Sequence, residues 1–326
     1  MFFQGLEKKV KTLIWCLVIV ECILCVGITR MIVQYYTKPA ILFTEDAVKQ
    51  ETLTGSKSKV YLPLPEHTTL EETLQDLKQC SVTGNVIKTN VHISPVGKSL
   101  LRKYMRAIEE EASLGFILLD LRHGQYLSYN TEQLFYPAST IKAHFAASLV
   151  DTYPELYKTR YNDLLNLLVW SDNDTYFKMA VTYGIHVLDH WCEKAGVRKD
   201  IAANMYIDQT TMENACLWAV NYYWFIENET GQELSELYES PYISSIHSNA
   251  EPGENTRTKA GWFEDIEEYF ATSDAGIIYE GEHPYLLVIM TDLPADFGLL
   301  DPLTDTLMNI HTEMIKNEAK MYHYND

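Results

Sequence analysis

The amino-acid sequence predicts an α/β (α+β) domain in which an antiparallel sheet, completed from both ends of the chain, lies beside a lobe of helices. The order of elements predicts it: a helix and a β-hairpin, then a block of helices, then strands and a final helix. The 326 residues have an ordinary apolar content of 47%, enough for one large domain or two small ones. A ligand is expected in a cleft between sheet and helices.

The first elements of this domain show clear helical and strand periods. Residues 95–112 place their apolar side chains on one stripe, which predicts an amphipathic helix. Residues 115–120 are apolar up to the final Asp120, and residues 125–129 return after a turn at Gly124, which predicts a β-hairpin. The domain is therefore expected to span residues 94–326.

The rest of the domain is predicted as helices followed by strands and a helix. Helices are expected at residues 161–170, 174–182, 186–195, 211–226 and 233–238. Strands are expected at 256–263, 269–279 and 285–292, and a last helix at about 301–318.

An apolar segment near the N-terminus predicts a transmembrane signal anchor at residues 12–33. A helix of about 20 residues crosses a bilayer, and neighbouring aliphatic side chains can offset the single Glu21. No small-residue cleavage site follows, which favours a retained anchor over a cleaved signal peptide. Because lysines precede the segment, residues 1–11 are expected in the cytoplasm and the rest outside, in a single-pass protein of the cell membrane.

Residues 34–93 are predicted to be an extracytoplasmic stalk or lead-in segment, with one short amphipathic helix at about 70–80. The net charge of −19 argues against nucleic acid as a partner. The six cysteines show no metal-ligand spacing, so neither a metal nor a cofactor is expected. Whether Cys192 and Cys216 form a disulfide stays open.

The stretch from Phe135 to Leu149 predicts a buried helix with a reactive serine in its first turn. Lys142 lies one turn after Ser139 on the same face. Burial and the helix N-terminus disfavour a charged ammonium, so this amine can act as a base on the hydroxyl. The N–H of Ser139 can stabilise an oxyanion. The S-x-x-K pattern alone is weak evidence, because residues 56–59 repeat it in a polar stretch.

The sequence Ser-Asp-Asn at residues 171–173 follows an apolar helix, where a loop can face a cleft. The hydroxyl of Ser171 and the amide of Asn173 can pass a proton and hold a peptide group. The alternative interpretation is an ordinary helix cap.

The sequence Lys-Ala-Gly at residues 259–261 falls in a predicted strand. Lys259 can attract a substrate carboxylate, Gly261 allows close approach to the backbone, and the N–H of Trp262 is a candidate second oxyanion donor. The alternative interpretation is an exposed strand lysine.

Together and in this order, the three motifs resemble those of the penicillin-recognising serine hydrolases, which include class A β-lactamases and penicillin-binding proteins. The resemblance covers about Ser94 to the C-terminus and implies a β-lactamase/transpeptidase-like fold. It implies catalytic roles for Ser139 as the acylated nucleophile, Lys142 as its base and Ser171 as a proton relay. The substrate-binding residues that it implies are Asn173, Lys259, Gly261 and Trp262.

Three departures from the family pattern bear on activity. Ala260 replaces the usual threonine or serine, which removes a hydrogen bond to a substrate carboxylate worth about 1.5–3 kcal/mol. The first two motifs lie closer together than in class A β-lactamases, so the helical lobe is expected to be reduced. No E-x-x-x-N supplies the deacylating glutamate, and Asp208 and Glu213 are weak substitutes.

These residues predict a membrane-anchored, extracytoplasmic serine acyl hydrolase of the bacterial cell envelope. It would form an acyl-enzyme on Ser139 with β-lactams or cell-wall-peptide-like amides and would deacylate slowly. The alternatives are a low-turnover or inactive binding or sensor module of the same fold, and an esterase with a small acyl substrate. A stable adduct on Ser139 would separate the enzyme from the binding module.

Overall fold

A mostly antiparallel sheet forms the centre of the chain in a computed structural model that describes residues 42–45, 69–252 and 254–323. Strands β5 and β6 form a separate pair, and the other strands make one eight-stranded sheet. The strands are β1 (Leu42–Glu45), β2 (Val86–Thr89), β3 (Leu114–Asp120), β4 (Tyr126–Tyr129), β5 (Leu134–Phe135), β6 (Gln209–Thr210), β7 (Asn255–Thr258), β8 (Gly261–Phe263), β9 (Ala271–Glu280) and β10 (His283–Thr291).

The order of strands shows how the two ends of the chain complete the sheet. The order is β1-β2-β4-β3-β10-β9-β7, with β8 also paired to β9. All pairs are antiparallel except β1 with β2. The central contact joins β3, from the first half of the chain, to the C-terminal β10. The predicted antiparallel sheet is thus confirmed.

Helices cover both faces of the sheet. They are α1 (Leu70–Gln79), α2 (Pro95–Glu109), α3 (Ile141–Thr152), α4 (Leu156–Thr159), α5 (Tyr161–Leu168), α6 (Asn173–Tyr183), α7 (Asp189–Ala195), α8 (Thr211–Glu227), α9 (Glu229–Ser235), α10 (Ser245–Asn249) and α11 (Phe297–His323). Alternate residues of a strand face opposite sides. Accordingly, Ile117 and Leu119 of β3 join the core of the helical lobe, which includes α3 and α8. Helices α2 and α11 pack on each other and on β3.

Helix α3 is buried on nearly all sides, as its apolar sequence predicts. It is preceded by a 3₁₀ turn at Ala138–Thr140, so Ser139 sits in a tighter turn than the predicted α-helical start. The hydroxyl of Thr140 donates to the carbonyl of Pro137 at 2.7 Å, which closes that turn.

Two differences from the sequence prediction affect the sheet. The strand predicted at 256–263 is two strands, because the chain turns at Lys259 and Ala260 and β8 passes to the 3₁₀ turn before α3. Two elements of the segment predicted as a lead-in, before residue 94, also pack with the domain. Helix α1 joins the core of the helical lobe, and strand β2 pairs with β4 in the sheet. Strand β2 has only four residues and no hairpin turn that joins it to a neighbouring strand in sequence, so it could not be recognised as β4 was.

The predicted anchor at residues 12–33 lies outside the described residues. Within the described ranges, no helix is both long and apolar enough to cross a membrane. Cys192 and Cys216 are both buried and are not joined by a disulfide.

Candidate active site

Lys142, on the first turn of α3, is fully buried and faces the loop that holds the second motif. Its Nζ donates to the carbonyl oxygen of Ser171 at 2.7 Å and to Asn173 Oδ1 at 2.6 Å. No hydrogen bond joins it to Ser139 Oγ in the described part of the chain. The amine is therefore fixed to the second motif, one helical turn from the serine.

Burial lowers the pKa of Lys142 to about 7, although the nearby carboxylate of Asp172 acts in the opposite direction. A substantial fraction of the amine is then uncharged near neutral pH. A neutral amine has two N–H groups and one lone pair. If the two bonds to Ser171 and Asn173 use the N–H groups, the lone pair is left to accept a proton.

Ser139 is half-buried, and its hydroxyl makes no hydrogen bond with any other described residue. The preceding Ala138 has a φ of 44°, a left-handed conformation that is uncommon outside glycine. A Cβ added at Gly261 would lie 2.7 Å from the backbone nitrogen of Ser139. Strand β8, which contains Trp262, thus passes directly beside the turn that carries the serine.

Ser171 is held between two lysines. Lys259 Nζ donates to Ser171 Oγ at 2.8 Å and to the carbonyl of Ala260 at 2.9 Å, while Lys142 bonds the Ser171 carbonyl. Ser171 has a φ of 59°, a strained conformation that costs about 1–3 kcal/mol in a residue other than glycine. The two lysine contacts hold its hydroxyl on Lys259 and its carbonyl on Lys142.

Lys259 is almost fully buried, so it is not the exposed strand lysine of the alternative interpretation. Burial lowers its pKa to about 7, the charge of Lys142 lowers it further, and Asp274 acts in the opposite direction. Asp274 is itself buried, which raises its pKa to about 6. Charging two neighbouring buried lysines at once is unfavourable, so one of the pair gives up its proton at a lower pH than an isolated lysine does.

The Ser-Asp-Asn motif at residues 171–173 is both a helix cap and a part of the candidate site. Asp172 is an ordinary helix cap, because its Oδ1 accepts the N–H of Thr175 at 2.7 Å at the start of α6. Asn173 is exposed, and its Oδ1 accepts from Lys142 and from the Tyr206 hydroxyl at 3.3 Å. The cap fixes the loop, while the neighbouring Ser171 and Asn173 contact the two lysines.

These contacts join six of the predicted site residues. Hydrogen bonds link Lys142, Ser171, Asn173 and Lys259. Close backbone approach brings Gly261 to Ser139. Trp262 is half-buried on β8, and its ring packs against Phe297 with centroids 6.1 Å apart. Ala260 is fully buried.

Glu213, considered as a substitute for the deacylating glutamate, is engaged elsewhere. Its Oε1 accepts from Arg198 Nε at 2.6 Å, and its Oε2 accepts the backbone N–H of Thr210 in the cap of α8. Asp208 is exposed, and its backbone carbonyl accepts from Arg198 at 2.7 Å. These contacts direct Glu213 to the helix cap and not to Ser139.

Aromatic side chains around the motifs were missed by the sequence analysis. Tyr136, three residues before Ser139, lies 5.1–6.1 Å (ring centroids) from Tyr206, Phe263 and Tyr269. Trp170, adjacent to Ser171, is 56% exposed and lies 5.7 Å from Tyr242. These residues come from distant segments and share no period, so no sequence signal joins them.

The chain matches no protein-family model, and no curated protein is detectably similar to it. Solved structures share its fold. PBP-A is 14% identical, with a TM-score of 0.53 over 66% of this chain and 96% of PBP-A. The carbapenemase VCC-1 from Vibrio cholerae is 16% identical, with a TM-score of 0.52 over 65% and 98%. A class A β-lactamase from Mycobacterium abscessus is 14% identical, with a TM-score of 0.51 over 66% and 99%.

At 14–16% identity, the similarity to these solved structures establishes the fold of this chain. The family resemblance inferred from the three motifs is therefore confirmed for the fold. The chain has the fold of β-lactamases and penicillin-binding proteins.

Proposed function

We propose that this protein is a serine acyl hydrolase that forms an acyl-enzyme on Ser139 and deacylates slowly. The proposal rests on two buried lysines that hydrogen-bond Ser171, Lys142 at its carbonyl and Lys259 at its hydroxyl. The hydroxyl of Ser139 has no hydrogen-bond partner among the described residues. A base with a pKa near neutral can take the proton of a hydroxyl at physiological pH. This is the chemistry that a serine nucleophile requires.

In the proposed reaction, the Lys142 amine takes the Ser139 proton as Oγ attacks the acyl carbon. The N–H groups of Ser139 and Trp262 stabilise the oxyanion. The bond from the acyl carbon to the leaving nitrogen then breaks, and Ser171 passes a proton from the lysine pair to that nitrogen. The acyl group remains on Ser139 until water releases it.

The proposed substrates are β-lactams or cell-wall-peptide-like amides that carry a carboxylate. Lys259 supplies the positive charge that attracts such a group, and it also donates a hydrogen bond to Ser171 Oγ. We also propose that residues 12–33 anchor the protein in the cell membrane with residues 34–326 outside. The apolar content of that segment and the preceding lysines support this topology.

A low-turnover binding or sensor module is the second candidate. The bonds of Glu213 to Arg198 and to the cap of α8 favour it, because they keep that carboxylate from activating water at Ser139. A long-lived acyl-enzyme would serve such a sensor. The two candidates differ in whether the acyl group is released.

Acyl transfer is tested by labelling the full-length protein, in detergent, with a fluorescent penicillin and with activated esters. We expect a covalent adduct that Ser139→Ala abolishes completely. Ser56→Ala, in the second S-x-x-K, is the matched control and should label like the wild type. If no donor gives an adduct on the wild type, the acyl-hydrolase proposal is wrong. If an adduct forms and persists for hours, the protein acylates without efficient turnover.

The rate of adduct formation should rise with pH through about 7 and level off above it. The reason is that only the neutral amine of Lys142 can accept a proton, and burial has lowered its pKa to about 7. At two pH units below the pKa, about 1% of the amine is neutral, so the rate should be about 100-fold lower. Labelling rates between pH 5 and 9 check this. A flat or falling profile would argue against Lys142 as the base.

A further inference from the structure

A cluster of metal-ligating side chains lies at the other end of the sheet from the candidate active site. Asp120 is the last residue of β3, His123 lies in the following turn and His283 begins β10. Strand β9 connects the two regions, from Ser273 beside Gly261 to Glu280 beside His283. At about 3.3 Å per residue, these two positions on β9 are roughly 23 Å apart. The cluster is separate from the acyl chemistry.

The three side chains are close enough to share one ion. One donor atom from each of Asp120, His123 and His283 lies within 4.8 Å of the others. Nδ1 of His123 is 3.8 Å from Asp120 Oδ1. Two donors of one tetrahedral Zn²⁺, each about 2.0–2.1 Å from it, are about 3.4 Å apart. A small rotation of the imidazoles brings the set into range.

His283 supplies a second observation, because its Nδ1 is buried and has no hydrogen-bond partner among the described residues. A buried ring nitrogen without a partner loses its bond to water and gains nothing in return. Its ring centroid is 5.9 Å from that of His123. A metal ion between the two rings would satisfy this nitrogen.

Asp120 has room for one more partner. Its Oδ1 accepts the backbone N–H groups of Arg122 and His123 at 2.9 and 2.7 Å, and its Oδ2 accepts His311 Nε2 at 3.0 Å. An ionised carboxylate offers about four lone-pair sites. Three are used, which orients the group and leaves one for a cation.

The surroundings resemble the outer shell of a metal site, in which ligands are held by further hydrogen bonds. His311 is fully buried, bonds Glu280 Oε2 through Nδ1 at 2.8 Å and stacks on Tyr285 at 3.8 Å. Both of its ring nitrogens face carboxylates. Glu280 is the register partner of His283, so a second carboxylate lies beside this part of the set, which favours a bound cation.

We propose that Asp120, His123 and His283 form a binding site for a divalent transition-metal ion, with Zn²⁺ as the best fit. Imidazole and carboxylate donors suit Zn²⁺, which commonly takes three protein ligands and a water molecule. The ion joins the turn after β3 to the hairpin between β9 and β10. No sequence pattern indicates this site, since His283 lies 160 residues after His123 and no cysteine is involved.

The test uses the full-length protein without an affinity tag, with Zn²⁺ measured by equilibrium dialysis and Co²⁺ as a spectroscopic probe. We expect one site per chain that His123→Ala and His283→Ala each weaken at least 10-fold, as is typical of lost ligands or their supports. His186→Ala, an exposed histidine on the helical lobe, is the matched control and should bind normally. The Co²⁺ spectrum should lack a thiolate charge-transfer band.

Thermal unfolding tests the site even if the alanine variants of the ligands fail to fold. Zn²⁺ should raise the unfolding midpoint of the wild type and of His186→Ala, but not of His283→Gln. Fluorescent-penicillin labelling of the wild type should be the same with and without a chelator. Zn²⁺ binding that survives both histidine substitutions, or no binding by the folded wild type, would overturn the proposal.

Discussion

Replacing Lys142 with methionine is expected to lower the rate constant for acylation of Ser139 by about 10²–10⁴-fold. The reason is that the variant lacks the group that takes the serine proton. Lys142 is fully buried, and methionine fills much of the same space with no charge to desolvate. The loss should therefore appear without a large loss of folding stability. Stopped-flow labelling and thermal unfolding of the same sample separate the two effects.

Two controls sharpen this prediction. Lys142→Arg keeps the positive charge but cannot lose its proton, so it should be as poor as the methionine variant. Lys178→Met removes an exposed lysine of α6 and should label like the wild type. If Lys142→Met acylates within a few-fold of the wild-type rate, the amine is not the base.

Gly261→Ala is expected to reduce acylation by about 10²–10³-fold, as removal of an oxyanion donor does. A Cβ at this position would lie 2.7 Å from the carbonyl oxygen of Pro137, 2.7 Å from the nitrogen of Ser139 and 2.8 Å from that of Thr140. Backbone atoms cannot yield as a flexible side chain does. Strand β8 or the turn with Ser139 must move, which separates the two N–H groups proposed to bind the oxyanion.

Gly298→Ala is the matched control, because the nearest atom to its added Cβ is a side-chain oxygen of Asp296 at 3.2 Å. That variant should label at the wild-type rate. The affinity for a non-covalent carboxylate ligand should fall less in Gly261→Ala than the acylation rate does. An unchanged rate in Gly261→Ala would show that β8 does not help to form the oxyanion site.

The sequence predicted the sheet, the buried helix α3 and the three motifs, because each rests on local information. Residues 115–119 are continuously apolar, and Ser139 and Lys142 are three residues apart at the start of one helical segment. The convergence of Lys142 and Lys259 on Ser171 was inferred from family resemblance. It could not be derived from spacing, because long-range contacts depend on how the elements pack.

Features that depend on packing between distant segments could not be predicted from the sequence. The break between β7 and β8 follows from the approach of Gly261 to Ser139, which no local pattern encodes. The bond from Lys142 to the Ser171 carbonyl requires the left-handed backbone of Ser171. Asp274, whose charge acts on Lys259, lies in β9, where no local pattern indicates that it faces this lysine.

Acylation of Ser139 is tested most directly by locating the acyl group after labelling. The full-length protein is treated with the donor, digested with trypsin and analysed by tandem mass spectrometry. The tryptic peptide from His123 to Lys142 contains Ser139 and the fully buried Ser128, which serves as an internal control. We predict the acyl mass on Ser139 and none on Ser128. An unmodified peptide beside an acylated residue elsewhere in the chain would contradict the proposed mechanism.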